Sequence, residues 1–374
     1  MTDIRARAEQ LARSPVELGD LALVFDETTA ATAGVHVSGF DFFPLILDDI
    51  AGATSSVHVN QYGFRPGGIG EQFALALLSK AAEGVAVRVV VDRVGSRPGR
   101  SGGFYERLRA GGVDVRVVRA PGRIDHRKQF VVDGRVGWVG GAGIEDHFAD
   151  GRFHDLFVRL TGPVVAQLQL VFLASFRWLG GEVAPEQLAA LFPPLEPGAI
   201  PATALHNAPG PYRPIATAIA ELLDGAQETL DVVNPYVADK AMIQRITGAA
   251  RRGVDVRLFV PAHPNNRACA AAQRHHHGDL LDAGVRILGH PKMLHAKAFV
   301  RDGEEVLAGT CNLEAWSLKR FFEIDVRVRS REFAAQFDER FSAPAEAVST
   351  PGVAPTGVGP RLTAAAGAAI SPFL

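Results

Sequence analysis

Two short segments of this 374-residue chain carry residues whose types and spacing could do chemistry. His126-Arg127-Lys128-Gln129-Phe130-Val131-Val132-Asp133 and His295-Ala296-Lys297-Ala298-Phe299-Val300-Arg301-Asp302 share the pattern HxKxxxxD, one copy in each half of the chain. Composition alone would produce this pattern about 0.01 times in such a chain, so the pair records a duplication. On a strand, residues i and i+2 share a face, which sets each imidazole beside an ammonium, with Phe130 and Phe299 on or near that face. That is an anion site. An imidazole nucleophile, an imidazole acid and two cations are what phosphoryl chemistry without a metal requires. Asp133-Gly134 and Asp302-Gly303 are hairpin-turn dipeptides, so both aspartates are expected at turns, away from the histidines, and count only as motif members.

A carboxylate follows in each copy. Asp155 follows His126 and Glu323 follows His295 at spacings that differ by a single position, in the related stretches Phe153-His154-Asp155 and Phe321-Phe322-Glu323. A carboxylate that accepts a hydrogen bond from one imidazole nitrogen fixes the tautomer and leaves the other lone pair free. Asp155 and Glu323 are assigned that orienting role.

The elements that must position these groups also repeat. Residues 83–92 are echoed by 252–261 at the same offset as the two histidine motifs, Asn60-Gln61-Tyr62 are answered upstream by Asn234-Pro235-Tyr236, and between them lie helix-like stretches, 69–83 and 239–252. Val-rich runs of about six residues flanking a helix read as buried parallel strands joined by a crossover, used twice. Return strands are expected at 136–140 and 306–309. Seven prolines between 193 and 214 mark a linker, with the boundary near Ala204. The division is therefore an N-terminal extension over 1–40, halves over 41–203 and 204–345, and a flexible tail over 346–374 in which 362–374 could form a short apolar helix.

With these residues in view, the sequence resembles the phospholipase D superfamily, most closely its cardiolipin synthase branch, from about Val57 to Arg329. The resemblance implies an α/β fold of two fused halves related by a pseudo-twofold axis, with one shared active site between them. It further implies a covalent phosphohistidine, no metal and no cofactor. His126 would be the nucleophile, His295 the acid that protonates the leaving alcohol, and Lys128, Lys297 and Asn312 the groups that bind the phosphoryl oxygens. One departure is Gly143, where relatives usually carry Asn; Thr310 and Cys311 also vary a position usually held by Ser and a small residue. The implied activity is phosphatidyl transfer between phospholipid alcohols, with hydrolysis of head groups or metal-independent nuclease action as alternatives.

Other conspicuous residues have plainer readings. His275, His276 and His277 point about 100° apart on a helix and cannot all face one ion. Glu145, Asp146 and His147 are expected at the surface or rim, and the apolar helix over 164–179 in the core. Composition sets the outer bounds: 47% apolar and 21% charged residues suit a globular chain, and a net charge of −2 lacks the basic excess of a protein held by nucleic-acid phosphates. Cys269 and Cys311 have no zinc-ligand spacing and are expected as free thiols in a reducing compartment. The longest uncharged run, 160–176, is too short and too polar for a membrane span, and no secretory signal is evident. The expected setting is cytoplasmic and peripherally membrane-associated, with a phospholipid at a membrane surface as partner, no nucleic acid, and a monomer because both halves of the site lie in one chain.

Overall fold

A computed structural model describes residues 3–97, 99, 101–119, 122–354 and 358–370. The Val-rich runs form strands whose alternate residues face opposite layers. Thr28–Ala30 (β1) and Thr32–Val37 (β2) come first, followed by Ser56–Gln61 (β3), Ala86–Asp92 (β4), Asp114–Val118 (β5), Lys128–Val132 (β6), Val136–Gly140 (β7), Phe153–His154 (β8) and Leu156–Thr161 (β9). The remainder are Ile200–Asn207 (β10), Thr229–Val233 (β11), Asp255–Pro261 (β12), Arg286–His290 (β13), Met293–Leu294 (β14), Ala298–Arg301 (β15), Glu305–Gly309 (β16), Glu323–Arg329 (β17) and Thr350–Pro351 (β18).

One sheet runs β2-β9-β7-β6-β3-β4-β5, and the other contains the same order in its counterparts, β10-β17-β16-β15-β11-β12-β13, with β1 and β18 added at the edges. In each, the first three strands of the α/β unit pair in parallel and the histidine-motif hairpin joins them antiparallel. The crossover helices are Gly68–Ala82 and Lys240–Arg251, within a residue of the stretches read from the sequence.

The two sheets face one another across the core. Val90, Val131 and Val158 from one sheet meet Ala298, Val306 and Val326 from the other, while the alternate residues Val87, Val89 and Phe130 face their own half's helices. Phe299 does the same in the second half. The helix Val164–Trp178 is almost entirely buried in the shared core, as its apolar residues imply.

The boundaries differ from the sequence division. The stretch before Asp41 is no separate extension: β1 pairs with β10 in one sheet and β2 with β9 in the other, and the helix Ile4–Arg13 packs on Val164–Trp178, where Arg177 Nε donates to Leu11 O at 2.9 Å. A cut at 203/204 would split β10, which is the second half's equivalent of β2. Pro201 lies inside β10 near its start, opposite Thr29 of β1, and the other prolines flank the strand, which stays paired on both sides because a proline disrupts a ladder only where its N–H is needed. The tail is also ordered in part. β18 pairs with β13, and within the helix Val358–Ile370 a Cβ on Gly367 would meet Ala272 N at 2.5 Å, so that helix lies tight against Arg267–His275. Residues 371–374 of the expected apolar helix lie outside the described residues. The helical stretch around His275 is broken at His276, and His277 Nδ1 donates to Val353 O at 3.1 Å.

Candidate active site

Each histidine sits just before its motif strand, and its backbone is held by the opposite half. Asp125 bridges to Phe322, and His126 N donates to Phe322 O at 3.0 Å. On the other side β14 pairs with β8, and His295 N donates to His154 O at 2.7 Å. In both cases the accepting residue immediately precedes a carboxylate. The consequence is an exchange of carboxylates. His126 Nδ1 donates to Glu323 Oε1 and Oε2 at 3.0 and 3.1 Å, and His295 Nδ1 donates to Asp155 Oδ2 at 2.8 Å. Asp155 and Glu323 are each placed to orient an imidazole, and each is paired with the other half's histidine.

Lys128 and Lys297 are each 1% exposed, so their charge is directed inward. Lys128 Nζ donates to His126 O at 2.7 Å and lies 5.2 Å from the centre of the Tyr62 ring; Lys297 Nζ donates to His295 O and stands about 3 Å from both ring nitrogens of His295. Asn312 lines the same cavity, its Nδ2 directed at Ser317 Oγ at 3.5 Å and its Oδ1 without a partner among the described residues.

Burial sets the protonation tendencies. It pushes Lys128 down to about 8 and Lys297 down to about 7, against the pull of nearby carboxylates. Both imidazoles are pushed well below their ordinary value, first by burial and then by the two lysines. Glu323 is pushed up to about 7 and Asp155 to about 6, again by burial. A neutral imidazole with Nδ1 tied to a carboxylate presents its Nε2 lone pair to the cavity, which is the state a nucleophile needs.

Asp133 and Asp302 lie at the hairpin turns and do not line the cavity. Asp133, at φ 52°, accepts from Thr54 N and Oγ1, Ser55 N and Oγ, and Ser56 N; Asp302, at φ 51°, accepts from the backbone of Gln227, Glu228 and Thr229. Each aspartate ties its hairpin to the strand beside it, because a carboxylate at a tight turn meets the unpaired N–H groups of the neighbouring strand's start.

Several residues of the site were not picked out by the motifs. Thr310 Oγ1 and Ser317 Oγ each donate to Glu323, both at 2.5 Å. Arg127, between His126 and Lys128, is buried and holds Asp125 through two nitrogens, and reaches Ser175 in its own half and His206 across the half boundary. Tyr62 and Tyr236 line the cavity from the ends of the repeated strands, and the repetition of Asn60-Gln61-Tyr62 in Asn234-Pro235-Tyr236 was the signal available for them. Glu145 and His147, expected at the rim, line the cavity instead, while Asp146 accepts from Gly68 N and Ile69 N at the start of a helix. Both cysteines are free and buried. The cavity holds about 500 Å³, and Phe148, Phe153, Trp316 and Phe321 give it aromatic walls. Among the described residues no helix is long and apolar enough to cross a membrane.

The cardiolipin synthase A of Pseudomonas syringae pv. syringae (strain B728a) is 31% identical over 291 residues, covering 74% of this chain and 60% of its own length. The cardiolipin synthase of Geobacillus kaustophilus (strain HTA426) is 33% identical over 279 residues, covering 69% and 55%. The chain thus spans 60% or less of the length of these two curated relatives. The phosphatidylserine synthase of Haemophilus influenzae Rd KW20 shares the fold over 94% of this chain and 92% of its own, at a TM-score of 0.71 and 13% identity. The polyphosphate kinase of Porphyromonas gingivalis covers 85% of this chain and 46% of its own, at a TM-score of 0.55 and 15% identity. The family described as cardiolipin synthase, PLD-like domain, matches residues 46–173 and 219–344, one histidine motif in each segment, and the chain belongs to that family.

Proposed function

We propose that the protein is a phosphatidyltransferase of cardiolipin synthase type, working through a phosphohistidine. The observation that carries this reading is the pair of carboxylate-anchored imidazoles facing one cavity with two buried lysines. His126 Nε2 attacks the phosphorus of a phosphatidyl donor and the P–O bond to the first alcohol breaks. His295 enters the cycle as the imidazolium, a state that the bound phosphate anion and Asp155 at its Nδ1 favour, and gives its Nε2 proton to the departing oxygen, becoming neutral. A second alcohol then loses its proton to His295 and attacks the same phosphorus, breaking the P–N bond and returning His126 to its neutral form. Lys128, Lys297 and Asn312 take the charge that gathers on the phosphoryl oxygens, in a site already desolvated and oriented for it.

A phospholipid at a membrane surface suits the cavity's size and aromatic walls, which fit a head group and glycerol backbone more readily than two acyl chains. Contact with the membrane is then peripheral. Phe40, 68% exposed, lies beside Gly151 and Lys292 close to the Phe148 and Phe153 wall, which supplies an apolar group and a cation at the mouth. The test is to incubate the purified protein with phosphatidylglycerol vesicles and identify the lipids by mass spectrometry. Cardiolipin with release of glycerol is the expected result. Phosphatidic acid as the sole product would make the protein a phospholipase D, and cleavage of nucleic acid without lipid turnover would make it a nuclease.

A further inference from the structure

We infer that Arg65 and Glu145 form a subsite for the hydroxyl groups of a polyol head group, on the alcohol side of the reaction proposed above. The inference rests on that transferase reading and on an asymmetry between the halves. The offset that carries His126 to His295 and Lys128 to Lys297 also carries Gly143 to Asn312 and Glu145 to Glu314. In the second half Asn312 and Glu314 both line the cavity, but both carboxylate oxygens of Glu314 are taken up in capping the helix Ala315–Lys319, accepting from Trp316 N and Ser317 N at 2.7 and 2.8 Å. In the first half the carboxylate is not used in this way. Position 143 has no side chain, Glu145 makes no cap for the helix Asp146–Ala149, and its carboxylate occupies the vacated space.

Two glycines make room for that carboxylate. A Cβ on Gly143 would lie 2.9 Å from Glu145 Oε2 and 3.0 Å from Gly63 O, and a Cβ on Gly63 would lie 2.4 Å from Glu145 Oε2. Neither glycine has a positive φ, so the backbone conformation does not call for glycine at either position; the carboxylate fills space that a side chain at either would contest. Arg65 is fixed from behind, its Nε donating to Gly95 O at 2.7 Å, and its Nη1 pairs with Glu145 Oε1 at 2.7 Å. Among the described residues, Glu145 Oε2 and Arg65 Nη2 have no hydrogen-bond partner. Both residues line the cavity, and Glu145 lies within electrostatic reach of Lys128.

An open acceptor beside an open donor matches adjacent hydroxyl groups, which both give and take hydrogen bonds. Because the guanidinium neutralises the carboxylate, the pair offers little to an ammonium head group, and the carboxylate disfavours a second anion. The preferred ligand is therefore a neutral polyol such as glycerol, free or as a lipid head group. In a two-step exchange the departing and entering alcohols use the same in-line position, so one subsite serves both.

The experiment uses a short-chain nitrophenyl phosphatidyl donor with glycerol, ethanol or phosphatidylglycerol vesicles as acceptor, and reads the ratio of transfer product to phosphatidic acid. Wild type should favour glycerol over ethanol, and Glu145→Ala should lower the glycerol ratio about tenfold relative to the ethanol ratio, the effect of one lost hydrogen bond to a hydroxyl. A second variant, Gly143→Asn with Glu145→Gly, rebuilds the second half's arrangement and should lose the same preference, which guards against a fault peculiar to the first. A parallel effect with vesicles and free glycerol identifies the head group as a ligand of the subsite; an effect with glycerol alone restricts it to the free polyol. Glycerol and ethanol ratios that fall together, or a wild type without preference, would overturn the subsite. Phosphatidic acid as the sole product with every acceptor, or no release of nitrophenol, would instead overturn the transferase reading, so the two failures are told apart.

Discussion

The exchange of carboxylates between halves makes a prediction that self-contained halves would reverse. Asp155→Asn and Glu323→Gln keep shape and replace a buried carboxylate by a neutral amide, so the fold should survive. What changes is the partner at imidazole Nδ1: an amide can donate as well as accept, and the tautomer that leaves Nε2 free is no longer enforced. Loss of such an orienting carboxylate costs about 10³-fold or more in rate, equivalent to about 4 kcal/mol of transition-state stabilisation. The two variants should differ in which step they slow. Glu323 accepts from His126 at 3.0 Å, so Glu323→Gln should cut phosphoenzyme formation about 10³-fold whether the leaving group is nitrophenol or an alkyl alcohol. Asp155 accepts from His295 at 2.8 Å, and His295 is needed only where the leaving group needs a proton. Asp155→Asn should therefore lose about 10³-fold with an alkyl leaving group and far less in the nitrophenol burst. Rapid-quench measurement of the burst with both donors decides the matter. If Asp155→Asn abolishes the nitrophenol burst while Glu323→Gln spares it, the crossed assignment is wrong.

Three further outcomes follow from the same geometry. His126→Ala should form no phosphoenzyme, whereas His295→Ala should accumulate it from the nitrophenyl donor because breakdown lacks a base; label on His295 in the first variant would reverse the roles, and net inversion at phosphorus would exclude the covalent route. With Glu323 near 7 and Asp155 near 6, protonation at low pH releases the imidazoles from their anchors, and with Lys297 near 7 and Lys128 near 8, deprotonation at high pH removes the phosphate's cations. The pH profile of kcat/KM should therefore be a narrow bell around neutrality, and its alkaline limb should move upward in Lys297→Arg, which keeps its charge; an unmoved limb would assign it to another group. Asp133→Ala should lower stability by about 2 kcal/mol in denaturant titration, since it strands donors at Thr54, Ser55 and Ser56. The activity of the folded fraction should be retained, and a specific loss of kcat would return Asp133 to the catalytic set.

Much of the protein was legible in its sequence because duplication and periodicity are local properties. The Val-rich runs, the crossover helices, the turn aspartates and the imidazole-lysine pairs each depend on residues within a few positions of one another, and each took the form its pattern implied. The partner of each histidine was different in kind. A carboxylate placed well downstream of its histidine satisfies the spacing equally well within its own half or across to the other. Only the short bridges, Asp125 with Phe322 and Met293–Leu294 with Phe153–His154, bring Glu323 to His126 and Asp155 to His295. The edges of the halves were hidden for a similar reason, since β1, β2 and β10 hold their places by pairing with strands far along the chain. Glu145 likewise reads as a rim residue in one dimension, and enters the cavity because Gly63 and Gly143, distant in sequence, leave the same space empty. Local pattern determined what each segment would become and which face it would bury; the packing of one sheet on the other decided which chemistry-bearing groups would meet, because contact across an interface leaves no period in the chain.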